Sequence, residues 1–253
     1  MNITLEQIKS LRDRTSVSTM ACKEALVEAG GDEEKAIEIL RKKGAAKAAK
    51  RSDRTTAHGT VAIVHEGGKA AMLSLACETD FVAKNDDFMS KAEELTKKLL
   101  EGGEDTDISA EVTELGLQMG EKIEIHEKKV LEAGNVGVYK HLNNRIGVLV
   151  SMSGGDAQLG QDIAMHIAAM SPKNLSPTDI SDEDVEKEKG IWKEQLIEEG
   201  KPEAIIDKIM MGKEDKFRKE SALLSQPFVK NPEQLIQDLL GDITIAEFWR
   251  FEV

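Results

Sequence analysis

The pattern of this chain predicts an α+β protein. A small three-helix N-terminal domain is followed by a core of two related α+β subdomains with antiparallel sheets and an inserted helical hairpin. Three observations carry that expectation. Apolar residues recur at three- and four-residue spacing from Leu5 to Leu40. Two strand-like pairs, Val61–Val64 with Lys69–Ala76 and Gly137–Lys140 with Arg145–Met152, are each followed by an amphipathic stretch. Two apolar stripes, joined by Glu199-Gly200-Lys201-Pro202, lie between acidic Asp182-Glu183-Asp184 and the return to the core at Ser225. The expected boundaries are 1–50, a linker over 51–56, a first subdomain over 57–134, a second over 135–180 and 223–253, and a hairpin over 181–222.

In chain order, Thr4 and Gln7 are spaced as a capping box for a helix carrying Leu5, Ile8 and Leu11. Ser18 can cap a second helix bearing Cys22, Ala25, Leu26 and Ala29, which Gly30-Gly31 ends. Asp32 then caps a third helix, buried through Ala36, Ile37 and Leu40, with Arg41, Lys42 and Lys43 favourably placed at its C-terminal dipole. Arg41–Arg54 holds seven basic residues against Asp53 and reads as a solvated linker or frayed helix that steers an acidic partner face.

From Thr55 the character changes. Glu66-Gly67-Gly68 turns the first hairpin, and Phe88, Ala92, Leu95 and Leu99 mark a helix over 84–100. Between them stands a polar corner, Glu78-Thr79-Asp80, with Phe81 and Val82 at its lip. Two readings are open there. Phe81 can fold back to plug the base of the sheet while Asp80 satisfies helix-terminal N–H groups, or an acid and a rigid ring can be presented to a partner. Val112, Leu115, Leu117 and Met119 predict one more short helix, and Ile123-Glu124-Ile125-His126 a strand. Ile163, Ile167 and Met170 lie on a helix after the second hairpin. Val185, Trp192 and Leu196, then Ile205, Ile206, Ile209 and Met210, form a helix pair too narrow for a core of its own, so an apolar edge must meet something. Leu235, Ile236, Leu239 and Leu240 predict a last short helix and Ile243–Val253 a terminal strand.

Composition narrows the function classes. The 253 residues carry a net charge of −13, which argues against a general nucleic-acid binder, although residues 1–54 alone are net +3. No apolar run can span a bilayer, and Met1-Asn2-Ile3-Thr4 lacks the basic start and hydrophobic segment of a secretory signal, so a cytoplasmic protein is expected. Cys22 and Cys77 lack paired spacing and read as reduced core thiols. His141 invites pairing with Cys77 or Ser151 as nucleophile, but no acid at motif spacing orients it and neither nucleophile sits in an elbow or redox motif. His166, in an apolar-flanked helix, reads as a core or supporting residue. With no Walker string and no dinucleotide fingerprint, no cofactor is expected on this chain.

The string Thr79-Asp80-Phe81-Val82-Ala83-Lys84-Asn85 closely resembles the central signature of the elongation factor Ts family. Leu11-Arg12-Asp13-Arg14-Thr15, Cys22-Lys23-Glu24-Ala25-Leu26, and Gly44 with Lys47-Ala48-Ala49-Lys50 resemble its amino-terminal signature. His141 with Arg145-Ile146-Gly147-Val148-Leu149-Val150, Ile163–Ala169, and Ser225-Gln226-Pro227-Phe228-Val229 continue the likeness. There are departures. Ser16-Val17-Ser18 and Ala21 replace a common Gly-Ala-Gly and an acid, so this turn should be stiffer. Gln161 and Asp162 replace a frequent basic pair. Related proteins commonly continue past a similar Arg250-Phe251-Glu252-Val253 into a helix that clasps the partner, whereas this sequence ends there.

The resemblance implies a non-enzymatic exchange factor that binds the translational GTPase EF-Tu and releases its GDP, with GDP, GTP and Mg²⁺ held by the partner. It implies that Asp80 and Phe81, with Thr79 and Val82, act beside the partner's magnesium site. Lys23 and Arg12 would face its nucleotide-binding domain and His141 its third domain, with Met119, Phe228 and Val229 as further contacts. The hairpin would serve the GTPase or a homodimer. An adaptor that binds protein through the N-terminal helices and hairpin without altering nucleotide release is the alternative.

Overall fold

The computed structural model describes residues 3–15, 17–49 and 51–253, with backbone alone at 45–49 and 204. Ser16 of the expected stiff turn, Lys50 of the amino-terminal signature, and Met1-Asn2 lie outside the described residues.

Three helices open the chain: α1 (Leu5–Thr15), α2 (Thr19–Glu28) and α3 (Glu33–Ala49). Their starts are set locally. The Thr4 N–H donates to Gln7 Oε1 at 3.0 Å and the Gln7 N–H to Thr4 Oγ1 at 3.2 Å, a reciprocal capping box. Ser18 Oγ accepts from the Ala21 N–H, and Asp32 Oδ1 from the Lys35 N–H. Ile8, Leu11, Cys22, Leu26, Ala36 and Leu40 form the bundle's core. Of the two readings of the basic segment, linker or frayed helix, the helical one holds as far as Ala49, because the alanines between its lysines favour continuing α3. Residues just past α3 are tied to the core as well: an Arg51 guanidinium N–H donates to Gly116 O, and Arg54 pairs with Glu78 at 2.9 Å.

Strands β1 (His58–Glu66) and β2 (Lys69–Cys77) pair antiparallel from His58 opposite Cys77 to Glu66 opposite Lys69. After α4 (Asp80–Ala83), α5 (Asp86–Gly102) and α6 (Ser109–Met119), β3 (Ile123–Glu132) adds to the other side of β2. The helix expected over 84–100 is α5, which Asn85 caps by accepting from the Asp87 and Phe88 N–H groups, and the single turn of α4 before it, ended at Lys84, is an element the periodicity did not show. β3 runs six residues beyond the alternating Ile123–His126, because pairing of Ser74 to Lys69 with Glu127 to Glu132 holds a charged edge that shows little periodicity of its own.

The second sheet has the order β4-β5-β8, from β4 (Asn135–Lys140), β5 (Ile146–Met152) and a last strand. Between β5 and that strand come α7 (Ala157–Met170), the antiparallel pair α8 (Asp182–Glu198) and α9 (Glu203–Ser221), the small hairpin β6 (Pro227–Phe228) and β7 (Asn231–Leu235), and α10 (Ile236–Leu240). β8 (Ile245–Glu252) closes the chain.

The strand pleat sorts side chains between layers. Leu73, Leu75 and Cys77 turn towards Phe88, Leu95, Leu99 and Leu115, whereas Met72, Val61 and Leu131 turn the other way to meet Val136, Leu149 and Phe251 of the second sheet. The sheets therefore lie face to face, with α5 and α6 outside one and α7 outside the other. α6 also reaches back to the N-terminal helices: Leu117 packs on their core instead of the first sheet's. Among the described residues, no helix is long and apolar enough to cross a membrane.

Candidate functional site

The corner after β2 is built by Thr79. Its extended backbone lets Oγ1 accept from the Val82 N–H at 3.4 Å, so Thr79, and not Asp80, caps the single turn of α4. Val82 and Ala83 then face the first core. The base of the sheet is already filled by Phe88, which is wholly buried, and Phe81 is left 84 % exposed. Of the two readings of this corner, the structure takes the outward one. Asp80 pairs with Lys84 at 2.8 Å, and the hydrogen bond from that ammonium holds its carboxyl below the usual carboxylate range.

Glu121, from the turn between α6 and β3, sits beneath the corner. It accepts from the Glu78 and Thr79 N–H groups, each at 3.0 Å, and from the Thr79 hydroxyl at 2.5 Å. Sequence reasoning passed over this residue, because a carboxylate partner 42 positions along the chain has no spacing signature.

Phe81, Val82, Asn85, Gln118 and Met119 border one open groove of about 610 Å³. Gln118 Nε2 donates to Thr15 O at 3.2 Å, which brings the end of α1 to the side of this groove. Arg12 and Lys23 are exposed on α1 and α2. His141 lies in the β4–β5 loop, where its Nδ1 and the Tyr139 hydroxyl are 3.0 Å apart. That loop touches the first sheet through the Val61 N–H on Asn144 O at 2.7 Å, and Lys140 reaches Glu93 of α5, so the loop flanks the helix that begins at the corner. Phe228 and Val229 stand apart, on the second subdomain. Phe228 is a buried core residue, tilted against the His166 ring, and only Val229 offers its side chain to solvent.

The nucleophile candidates are spoken for. Cys77 Sγ donates to Thr79 O at 3.2 Å, and burial together with the nearby Glu121 charge pushes its thiol up to about 12, so it stays protonated at neutral pH. Ser151 is buried in β5 between Val136 and Glu247. Among the described residues, no group of three or more His, Cys, Asp or Glu side chains is placed to hold a metal ion.

Residues 78–253, from the corner to the last strand, match the family model described as Elongation factor TS. The chain belongs to the elongation factor Ts family. It is 43% identical to elongation factor Ts of Saccharophagus degradans over 267 aligned positions, taking in 100% of this chain and 92% of the relative. Identity is 40% to elongation factor Ts of Idiomarina loihiensis and 41% to that of Alkalilimnicola ehrlichii, again over 100% of this chain and over 91% and 92% of those relatives. The function of an elongation factor Ts, guanine nucleotide exchange on EF-Tu during polypeptide elongation, is the function of this chain.

Proposed function

We propose that Asp80 and Phe81 are the wedge by which this factor drives GDP from EF-Tu. One observation carries the reading: a large rigid ring, 84 % exposed, stands on a turn whose backbone is capped from within and tied from beneath. An aromatic ring loses little conformational entropy on insertion and can part packed side chains, while Asp80 brings negative charge towards a region balanced around Mg²⁺ and phosphate. Both ligands stay on the partner. Linkage makes the effect reciprocal: whatever free energy the factor takes from GDP binding, GDP takes from factor binding, so the ternary complex is the high-energy species and incoming GTP displaces the factor.

The other surfaces dock and orient. Arg12 and Lys23 meet the nucleotide-binding domain, with Thr79, Val82 and Met119 completing the contact around the corner. His141 meets the third domain. Val229, supported from behind by Phe228, adds a contact on the second subdomain. The α8–α9 pair leaves Ile191, Ile197 and Met211 exposed, an edge suited to the GTPase or to a second copy of this chain.

We divide the chain into a helical unit over 1–50, a linker over 51–56 and two related subdomains, a reading supported by the hairpin, outer helix and third strand that each subdomain holds. The inserted pair is best ended at Glu220, because Ser221 O accepts from Lys173 and Asn174 and Ala222 bridges Asn174. The factor works in the cytoplasm on a protein partner, without contacting nucleic acid.

Stopped-flow release of fluorescent GDP from EF-Tu at saturating factor tests the wedge. Phe81→Ala and Asp80→Ala should slow release with a smaller change in affinity for nucleotide-free EF-Tu. Full stimulation by both variants would sink the wedge. An adaptor would bind EF-Tu with no effect of even the unmodified chain on its GDP off-rate.

A further inference from the structure

Two carboxylates cross over beneath the corner. Glu121 reaches from the α6–β3 turn to the Glu78 and Thr79 N–H groups and the Thr79 hydroxyl. Glu78 reaches back: its Oε1 accepts from the Lys122 N–H at 2.6 Å, and that bond holds its carboxyl below the ordinary range, with Arg54 adding to the effect. Thr79 Oγ1 is therefore used twice, donating to Glu121 and accepting from the Val82 N–H that starts α4. A helix of four residues has too few internal hydrogen bonds to set its own direction. Bonds to an ionised acceptor are stronger and more directional than neutral ones, and three converge here from two successive residues. The side of the turn from which Phe81 emerges is thus decided by a residue that belongs to a different pair of elements.

We infer that Glu121 is a positioning residue for nucleotide exchange. It holds the Asp80–Phe81 corner in its outward attitude before EF-Tu is met, so that the ring arrives without a search through other conformations of the turn. This rests on the wedge reading of Asp80 and Phe81. The same network ties in Arg54, whose carbonyl accepts from Lys122 Nζ, so the clamp stands where the N-terminal helices join the core.

The test uses the full chain with Glu121→Ala, Glu121→Gln, Thr79→Ser and Thr79→Val, each alone, and Glu121→Ala also together with Asp80→Ala and Phe81→Ala. Glu121→Ala is expected to lower the maximal stimulated GDP release about 10-fold while shifting the half-saturating factor concentration by less than about 3-fold. Glu121→Gln, which keeps an acceptor, should fall between, and Thr79→Ser should retain release that Thr79→Val loses. Amide exchange at Glu78 and Thr79 should quicken in Glu121→Ala, and adding Glu121→Ala to a chain already carrying Asp80→Ala and Phe81→Ala should cost nothing further. Unchanged release in Glu121→Ala and Glu121→Gln, with the two amides exchanging faster, overturns the inference. So does a further slowing when Glu121→Ala is added to the chain carrying both Asp80→Ala and Phe81→Ala, since Glu121 would then act elsewhere. Full activity of both Phe81→Ala and Asp80→Ala instead removes the wedge, whatever Glu121 does. Should Glu121→Ala melt early, Glu121→Gln and the Thr79 pair carry the same comparison.

Discussion

Phe81 and Phe88 flank one capped turn and point opposite ways: Phe88 is sealed under the first sheet, while Phe81 stands 84 % exposed. Their truncations should therefore separate folding from exchange. Phe88→Ala removes a fully packed ring and should cost about 3 to 5 kcal/mol of stability. Phe81→Ala should leave the melting temperature near that of the unmodified chain and slow stimulated GDP release by roughly 5- to 150-fold, as for loss of a 1 to 3 kcal/mol aromatic contact. Thermal melts beside stopped-flow traces check both, and a large loss of stability in Phe81→Ala would return that ring to the core.

Gly137 of β4 and Gly160 of α7 bring the second sheet and its helix into backbone contact. A Cβ on Gly137 would lie 2.4 Å from Gly160 O and 2.7 Å from Val150 Cγ1. Gly137→Ala should destabilise by about 1 to 3 kcal/mol through overpacking, lowering the melting temperature by about 2 to 10 °C. Gly154→Ala, where nothing lies within 4 Å, is the control and should melt close to the unmodified chain. Equal melting of the two variants would mean that the helix shifts to make room.

His166 pins the Phe228–Val229 segment to α7. Its Nδ1 accepts from the Val229 N–H at 3.2 Å, so Nε2 carries the proton and donates to Gln226 Oε1 at 2.9 Å. Burial holds its pKa below the ordinary 6.5. A depressed folded pKa means that the unfolded chain takes up the proton first. The stability from the neutral ring is thus full above pH 6.5 and is lost as pH falls through the folded value. Melting temperature should fall between about pH 7.5 and about pH 5.5, and His166→Asn, which keeps an acceptor near Nδ1, should flatten that slope. Parallel profiles for the two proteins would place the proton uptake on another group.

The α8–α9 pair holds itself together through Val185, Leu196 and Ile206 and a T-shaped contact of Trp192 with Phe217, yet leaves Ile191, Ile197 and Met211 outside. Replacing 182–220 by a short Gly/Ser linker should preserve the near-native circular dichroism of the sheets and lower EF-Tu affinity or dissolve a homodimer. Sedimentation and calorimetry check these outcomes. If mass and affinity both stay as they were, the exposed edge has neither role.

Much of this chain is written in near neighbours. The Thr4–Gln7 box, the Ser18 and Asp32 caps, the turn at Gly67-Gly68 and the stripes of α8 and α9 act within a few residues, so they can be read directly from the string, as can the Thr79–Asn85 signature. The Leu117 side of α6, the charged length of β3 and the β6–β7 hairpin could not, because each is held by a partner far along the chain or by too short a ladder: the N-terminal core, the β2 ladder, and the pairing of Phe228 with Asn231 and of Pro227 with Leu235 within a sheet too short to show periodicity. The candidate site divides in the same way. Its residue types at 79–82 are legible, but whether Phe81 plugs or projects depends on what already fills the space below. Phe88 occupies it and Glu121 fixes the turn above it, and only the folding together of β2, α5 and the α6–β3 turn brings those two residues to the corner.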